Sequence, residues 1–268
     1  MALNPLLQDW AGKTVWIVGA SSGIGEACAT LLYEQGATVL VSARNSLVLN
    51  VWSGQRPERD ALGRSRAVAL PLDVGDANRL QVAARLIEER GPLDLVVYCA
   101  GYYKALNAAD YNLGEMLRHQ QINYIGALHL LDAVLPLLHK QAAAGHGGHL
   151  CLVSSVAGYR GLPRSLAYGP TKAALTHLAE ALYLDLHALG LGVSVVNPGF
   201  VDTPLTAQND FRMPALITPQ QAAQAMLAGW ARGDFEMHFP RRFTRWLKFL
   251  RLLPYRLYFP LVKKATRT

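Results

Sequence analysis

The sequence predicts a single-domain, doubly wound α/β fold built on a parallel sheet. Strand patterns alternate with helical patterns along most of the 268 residues, as expected when helices cover both faces of a sheet. The strands are continuously apolar, which is typical of strands buried on both faces. With 51% hydrophobic and 17% charged residues, the chain can bury a large core and is not disordered, collagen-like or disulfide-stapled.

Each element is predicted from its apolar spacing and its flanking breakers. Strands are predicted at residues 14–18, 38–42, 67–72, 93–98, 149–153 and 193–196. Helices are predicted at residues 24–35, 76–90, 113–140 and 170–189. Gly36 closes the first helix, and Gly91 followed by Pro92 closes the second. No stretch approaches 18 uninterrupted apolar residues, so no membrane-spanning helix is expected.

A glycine-rich turn joins the first strand to the first helix. Gly19 suits a tight turn, Gly23 lets the backbone approach a pyrophosphate, and Gly25 lets helix pack on strand. The helix N-terminus then faces the phosphates. This context predicts a Rossmann-type dinucleotide site, with a purely structural turn as the alternative. The predicted contacts in the turn are Gly19, Ser21, Ser22, Gly23, Ile24 and Gly25.

The end of the second strand predicts the nucleotide. A carboxylate at this position would bind the 2′-hydroxyl of NAD. The sequence has Ala43 and Arg44 instead, and a guanidinium can pair with the 2′-phosphate of NADP. NADP(H) is therefore predicted in preference to NAD, and the alternative for Arg44 is a solvated surface residue.

Tyr168 and Lys172 form the most informative motif. Residues four apart share one side of a helix, and Pro170 is tolerated only in a first turn, so Tyr168 is expected at the helix mouth. A free phenol has a pKa of ~10, and a nearby ammonium favours the phenolate. Tyr168 can then exchange a proton with a carbonyl/alcohol pair, while Ser155, at a strand end, polarises the substrate oxygen. Singly, each residue also fits a structural role.

Together these motifs resemble those of the short-chain dehydrogenase/reductase family. The resemblance covers about residues 10–205. It is carried by Gly19, Gly23, Gly25, Asn123, Ser155, Tyr168, Lys172, Asn197, Pro198 and Gly199. It implies that Tyr168 is the general acid/base and that Lys172 binds the nicotinamide ribose and lowers the tyrosine pKa. It also implies that Ser155 orients the carbonyl and that Asn123 supports a proton-relay water near Lys172.

The resemblance implies further cofactor contacts and shows three departures. Asp73 resembles the adenine contact. The other implied contacts are Ala100 and Gly101 beneath the cofactor, and Pro198, Gly199, Val201 and Thr203 beside the carboxamide. Val18 replaces a common Thr, Tyr98-Cys99-Ala100-Gly101 replaces a segment with paired asparagines, and Gly169-Pro170 replaces a small polar pair. None of these departures removes a reacting group.

Residues about 200–217 are interpreted as a mobile lid over an apolar pocket, since apolar residues such as Leu205, Phe211 and Met213 alternate with breakers. Additional pocket walls are proposed from the sequence, with ordinary packing as the alternative. They are Tyr102, Tyr103, Tyr159 and Leu162. No Arg or Lys is compellingly placed to bind an anionic substrate, so a small lipophilic ketone, aldehyde or secondary alcohol is favoured.

The basic charge is confined to the C-terminal tail, residues 241–268. Residues 1–240 carry 17 Lys/Arg and 19 Asp/Glu, whereas the tail carries nine Lys/Arg and no acid. Residues 241–253 form an amphipathic helical pattern that Pro254 ends. Its predicted apolar face is Phe243, Trp246, Leu247, Leu250 and Leu253. The tail therefore predicts contact with an anionic membrane surface; packing on the enzyme or on a dimer partner and nonspecific nucleic-acid contact are the alternatives.

Three sparse cysteines, Cys28, Cys99 and Cys151, are interpreted as reduced core thiols, and no Cys/His cluster has metal-ligand spacing. The N-terminus lacks the pattern of a signal peptide, so a cytoplasmic location is expected, with peripheral contact at the inner face of a membrane. The expected function is NADP(H)-dependent hydride transfer by a homodimer or homotetramer that binds no specific nucleic acid. The alternatives are a catalytically idle NADP-binding regulator or scaffold, and a family epimerase or dehydratase.

Overall fold

The computed structural model describes residues 2–209 and 213–266. Its strands are β1 (Thr14–Val18), β2 (Thr38–Ser42), β3 (Ala67–Ala69), β4 (Leu95–Tyr98), β5 (His149–Val153), β6 (Gly192–Pro198) and β7 (Glu236–Phe239). Its α-helices are α1 (Gly23–Glu34), α2 (Ser46–Gly54), α3 (Ala77–Glu88), α4 (Leu113–Gln120), α5 (Gly126–Ala143), α6 (Tyr168–Leu186), α7 (Pro219–Arg232), α8 (Arg241–Leu252) and α9 (Tyr255–Thr266).

The strands form one parallel sheet in the order β3–β2–β1–β4–β5–β6–β7. The strand order reverses between β1 and β4, which is where ligands bind in doubly wound folds. Side chains of β1 alternate between two apolar cores: Val15 and Ile17 join α1, α2 and α7, whereas Trp16 and Val18 join α3, α5 and α6. The predicted doubly wound, Rossmann-type single domain is confirmed.

All six predicted strands and all four predicted helical regions are present, with shifted ends. The third strand stops at Ala69 rather than residue 72, and the fourth begins at Leu95 rather than residue 93. The sequence patterns did not identify α2, α7, α9 or β7. The edge strand β7 has alternating burial, so it lacks the continuous apolar run that marked the other strands.

The predicted long helix is divided by a π-helical turn at Gln121–Ile125, which lies between α4 and α5. The buried Tyr98 hydroxyl donates to the Ile122 carbonyl inside this turn. Such turns widen a helix locally and occur often at functional sites. By length and composition, Leu113–Ala143 is apolar enough to cross a membrane, but half of the relevant stretch is buried inside the fold, as in a core helix.

The C-terminal tail packs against the body through one side of each of its helices. Thr244 of α8 and Tyr258 of α9 are buried. Thr244 bonds with His238 at 2.6 Å, and Tyr258 donates to the Gly161 carbonyl at 2.7 Å. Trp246, which belongs to the predicted apolar face of α8, is 68% exposed, so this part of the face does not pack on the body. The helix instead turns the buried Thr244 toward the body.

Candidate active site

Most of the predicted site residues line one cleft at the C-terminal edge of the sheet. They are Gly19, Ser21, Ser22, Gly23, Ile24, Arg44, Asp73, Ala100, Gly101, Ser155, Tyr168, Lys172, Pro198, Gly199, Val201 and Thr203. Gly25 and Asn123 lie behind this lining rather than in it. The parallel strands bring the group together because all of their carboxyl ends meet at this edge.

The glycine-rich turn is too closely packed for side chains. Gly19 has a φ of +97°, a conformation that L side chains rarely adopt, and a Cβ here would overlap the Ala100 backbone. A Cβ on Gly25 would overlap the Gly19 carbonyl oxygen. Gly25 therefore shapes the turn from beneath, as the sequence predicted, and does not itself face the cleft.

The N-terminus of α1 fits a diphosphate. Ser22 stands at the N-cap but its side chain makes no capping hydrogen bond, so the first-turn N–H groups keep their capacity to bind an anion. Gly23 follows, and a Cβ on it would lie 2.8 Å from the Thr203 methyl carbon. The backbone and Thr203 thus form a narrow cradle at the helix end, which suits the pyrophosphate of a dinucleotide.

Arg44 stands at the mouth of the cleft beyond the end of β2. Its side chain is exposed, and it makes no ion pair with any residue in the described ranges. The neighbouring Asn45 caps α2 by accepting from the Val48 N–H at 3.3 Å. Asp73 accepts from the Gly75 N–H at 2.9 Å, so its position on the cleft wall is fixed by its own turn. These residues occupy the nucleotide side of the cleft, as the sequence predicted.

Tyr168, Ser155 and Lys172 meet on the other side of the cleft. Tyr168 is the first residue of α6, which confirms its predicted place at the helix mouth. The Ser155 side chain lies close enough to its hydroxyl to favour the phenolate form. The Lys172 ammonium lies 5.5 Å from the centre of the Tyr168 ring and donates to the Val153 carbonyl at 2.9 Å. The three side chains therefore present two hydroxyls and an ammonium to the cleft.

Burial dominates the protonation of this group. It raises the pKa of the Tyr168 phenol, and the nearby Ser155 side chain only partly opposes that shift. Burial lowers the pKa of Lys172 to about 8. In the chain alone, burial therefore sets the direction of the tyrosine pKa, and the lowering by Lys172 that the resemblance implies stays a prediction.

The Asn123 side chain links two segments of the site through hydrogen bonds. Its side-chain oxygen accepts from the Tyr102 N–H at 2.7 Å. Its amide donates to the Tyr102 carbonyl at 2.9 Å and to the Thr171 hydroxyl at 3.0 Å. Because the residue is fully buried, it ties the loop after β4 to the first turn of α6. The water-relay role implied by the resemblance stays a prediction.

Several supporting residues escaped the sequence analysis. A Cβ on Gly158 would lie 2.7 Å from the Lys172 carbonyl carbon, so the turn after Ser155 touches the α6 backbone. Glu115 accepts from the Tyr102 hydroxyl at 2.8 Å, and His119 accepts from the Lys104 N–H at 3.1 Å. These contacts join segments distant in sequence, and no local pattern signals them.

Ser154, which precedes Ser155, has a structural role. Its hydroxyl donates to the Lys172 carbonyl at 2.6 Å and accepts from the Thr176 hydroxyl at 3.0 Å. It is buried behind Ser155, on the side away from Tyr168. The two adjacent serines thus divide the work: one faces the phenol and the other fixes α6 to the end of β5.

Cys99 lies under the glycine-rich turn. Its thiol accepts a hydrogen bond from the Gly25 N–H, and burial raises its pKa to about 11. A neutral thiol therefore occupies the position of the asparagine that the resemblance led us to expect. Cys28 and Cys151 are buried, and all three cysteines are free.

The substrate side is walled by aromatic and apolar groups. Tyr103 packs edge-to-face on Tyr168, with ring centres 5.0 Å apart. The lid segment reaches the same place, since the Leu205 methyl lies 3.7 Å from the Cβ position of Gly101 and the Gln208 amide donates to the Tyr103 carbonyl at 2.7 Å. The predicted lid residue Phe211 lies outside the described residues.

Two of the four predicted pocket walls are misplaced. Tyr102 and Tyr103 line the cleft, whereas Tyr159 and Leu162 do not. Tyr159 is buried and donates to Glu236 at 2.5 Å, beneath the C-terminal tail. The chain leaves the cleft after Ser155, which sequence distance alone did not reveal.

A parallel sheet that holds a dinucleotide cradle beside a Ser–Tyr–Lys group defines a dehydrogenase or reductase, and comparisons with known proteins agree. The family model for short chain dehydrogenases matches residues 13–213. An uncharacterized oxidoreductase of Myxococcus xanthus is 36% identical over 92% of this chain and 95% of its own length. A second, from Staphylococcus epidermidis, is 34% identical over 80% and 89%, respectively. This chain belongs to the short-chain dehydrogenase/reductase family and is an oxidoreductase.

Solved structures share the fold. A short chain dehydrogenase from Burkholderia cenocepacia in complex with NADP has a TM-score of 0.78 and 21% identity, covering 97% of this chain and 100% of its own. A 3-ketoacyl-(acyl-carrier-protein) reductase from Brucella melitensis complexed with NADH has a TM-score of 0.76 and 22% identity, covering 85% and 97%. Both nucleotides thus occur on this fold, and a nicotinamide cofactor is supported for this chain.

Proposed function

We propose that the protein is an NADP(H)-dependent carbonyl reductase, or the reverse alcohol dehydrogenase, that acts on a lipophilic ketone, aldehyde or secondary alcohol. The observation that carries the proposal is the half-buried Tyr168 phenol beside Ser155, with the Lys172 ammonium 5.5 Å from the ring centre. A bound nicotinamide supplies or accepts the hydride. Tyr168 holds the proton that the substrate oxygen gains or loses, and Ser155 donates to the same oxygen as negative charge develops.

The preference for NADP(H) rests on Arg44. The guanidinium is exposed at the nucleotide end of the cleft, and Ala43 precedes it where a carboxylate would repel a phosphate. A planar guanidinium can bind the 2′-phosphate through two parallel hydrogen bonds. NADH has only a hydroxyl at the 2′ position, so it forms no ion pair with the Arg44 guanidinium.

The lipophilic substrate class rests on the cleft wall. Tyr103 and Leu205 supply apolar surface beside the phenol. Besides Lys172, two cations line this part of the cleft and both are already engaged: Lys104 pairs with Glu115 at 3.1 Å, and the Arg118 guanidinium lies 4.2 Å from the centre of the Tyr102 ring. An anionic substrate would have to compete for them, whereas an apolar carbonyl compound would not.

The test is a turnover screen with a panel of aliphatic and aromatic ketones, aldehydes and secondary alcohols, each with NADPH and NADH. We expect oxidation or reduction of the nucleotide with lipophilic substrates, faster with NADP(H) at equal concentration. Tight NADPH binding without turnover across the panel would indicate a regulator instead. Conversion of substrate with no net change in the nucleotide would indicate an epimerase or dehydratase.

A further inference from the structure

One side of α8 exposes bulky apolar groups next to arginines. Arg242, Arg245, Trp246, Phe249 and Leu252 are all exposed. Each lies three or four residues from another member of the set, which places the five on one side of the helix. We propose that the C-terminal tail docks the enzyme on an anionic lipid bilayer, lying in the headgroup region without crossing it.

The apolar part of this surface is large for side chains facing water. Trp246 is 68% exposed and Leu252 is 81% exposed. On α9, only Tyr258 and Val262 are buried, while Leu257, Phe259 and Leu261 are exposed. A tail that served only as a packed helix would bury such groups. A bilayer interface accepts them, and aromatic side chains are enriched there.

The charge of the tail selects an anionic surface. The tail carries nine Lys/Arg and no acid. Within the described part of the tail, Lys248 is the one base with an ion-pair partner, Glu236 on β7. The other bases flank the exposed apolar groups on both helices. Each base near an anionic bilayer strengthens binding about fivefold, and salt screens that part of the interaction.

Two other occupants fit the surface less well. A second copy docked face to face would bring arginines against arginines, because a two-fold contact pairs the same patch with itself. Nucleic acid would engage the charges but leave Leu252, Leu257 and Leu261 in water. An anionic bilayer satisfies both the charges and the apolar groups.

Docking at this surface also brings the bilayer near the cleft. Phe243 at the start of α8 packs against Phe200, with ring centres 5.7 Å apart, and lies 3.0 Å from the Cβ position of Gly199. Gly199 lines the cleft. The first turn of the docking helix therefore touches the segment that borders the substrate side, a suitable arrangement for taking an apolar substrate from lipid.

The experiment uses Trp246 as a built-in reporter. The other four tryptophans, Trp10, Trp16, Trp52 and Trp230, are buried. The full chain is mixed with vesicles of phosphatidylcholine alone or of phosphatidylcholine with phosphatidylglycerol, without substrate. We expect co-sedimentation and a blue-shifted emission only with the anionic vesicles. Lipids brominated near the headgroup should quench that emission more than lipids brominated deep in the chain. Trp246→Phe should keep binding and lose the signal.

Variants at exposed positions separate the electrostatic part of vesicle binding from the apolar part. Arg242→Gln, Arg245→Gln and Arg256→Gln together should weaken binding to anionic vesicles roughly a hundredfold at low salt. Phe249→Ser with Leu252→Ser should leave only binding that high salt abolishes. The matched controls are Arg79→Gln with Arg85→Gln on α3, and Leu47→Ser with Leu62→Ser, all exposed elsewhere on the body.

Three results would overturn the proposal. They are an absence of vesicle binding by the full chain, equal binding to neutral vesicles, and a change in the assembly size of the Phe249→Ser/Leu252→Ser variant in the absence of lipid. The last would make the surface an interface between copies. Because vesicle binding is measured without turnover, its outcome is independent of the catalytic proposal.

Discussion

At the scale of single residues, the site depends on groups whose chemistry is changed by burial. Tyr168 is half-buried and Lys172 is buried, and in both cases burial disfavours the charged form. The phenol is therefore a proton donor at neutral pH in the chain alone. Arg44 is the opposite case, since its side chain is exposed at the mouth of the cleft.

Tyr168→Phe should keep the fold and cofactor binding but lower kcat by about 10²–10⁴-fold, because it deletes only the hydroxyl that transfers the proton. Steady-state kinetics, together with NADPH titration, measure both effects. Tyr183→Phe is the control, since its hydroxyl bonds to the Leu3 carbonyl far from the cleft. Near-normal turnover of folded Tyr168→Phe would remove this residue from the mechanism.

Arg44→Ala should weaken NADPH binding by about 1.5–3 kcal/mol, the usual loss for a hydrogen bond to a charged group, and leave NADH binding nearly unchanged. Fluorescence titration with each nucleotide gives the two dissociation constants. Arg79→Ala, at an exposed position on α3, is the matched control. An equal loss for both nucleotides would show that Arg44 does not discriminate between them.

Lys172→Met should change how stability depends on pH. The lysine has a pKa of about 8 when folded, against the usual 10.5, so the unfolded chain binds more protons between these values. The free energy of unfolding of the wild type, relative to Lys172→Met, should therefore rise by up to about 3 kcal/mol from pH 8 to 10.5. Urea unfolding of both proteins at several pH values tests this. Parallel curves would contradict it.

At the scale of elements, the site is assembled by close contacts between backbones. The turn after Ser155 touches α6 at Gly158, and the π-helical turn places Asn123 between the loop after β4 and α6. These contacts set the spacing of Ser155 and Tyr168. Catalytic geometry is therefore sensitive to small shifts of α6 even where no reacting group is changed.

Gly158→Ala should lower kcat by at least tenfold and destabilise the protein by about 1–3 kcal/mol, since the new methyl meets the Lys172 backbone at 2.7 Å. The displaced turn moves Ser155 away from Tyr168. Gly161→Ala is the control, because a Cβ at that position has open space around it. Kinetics and urea unfolding of the pair distinguish displacement from a general effect of Gly→Ala. Equal kcat values and equal unfolding free energies for the two variants would show that the backbone contact at Gly158 tolerates a methyl group.

At the scale of the whole molecule, the tail is fastened to the body by groups far apart in the chain. The Arg160 guanidinium donates to the Leu253 carbonyl at 2.5 Å and lies 4.1 Å from the centre of the Tyr258 ring. It thereby satisfies the C-terminal end of α8 and holds α9. One side of the tail is thus committed to the fold, while the other remains exposed.

Tyr258→Ala should lower the free energy of unfolding by about 3 kcal/mol, because it removes a buried ring and its hydrogen bond to Gly161. Tyr255→Ala should cost far less. Both rings lie under Arg160, but Tyr258 is 2% exposed and Tyr255 is 66% exposed. Urea unfolding compares them. Similar losses would mean that the Arg160 contact, rather than burial, fixes the tail.

Local sequence patterns were enough to predict the parallel sheet, the glycine-rich turn and the candidate reacting side chains. Each of these depends on local patterns: continuous apolar runs, glycine spacing, and Tyr168 placed one turn before Lys172 on a helix. Ser155 was predicted from its place just beyond the end of a strand and from the family resemblance.

Only the tertiary structure decided what surrounds those groups. The braces at Asn123 and Gly158, the thiol of Cys99 beneath the turn, and the diversion of Tyr159 toward Glu236 all join segments that are far apart in the chain. The direction of the tyrosine pKa also depended on burial, which a motif does not encode. Local spacing fixes which residues share a face, whereas desolvation and long-range packing depend on the complete fold.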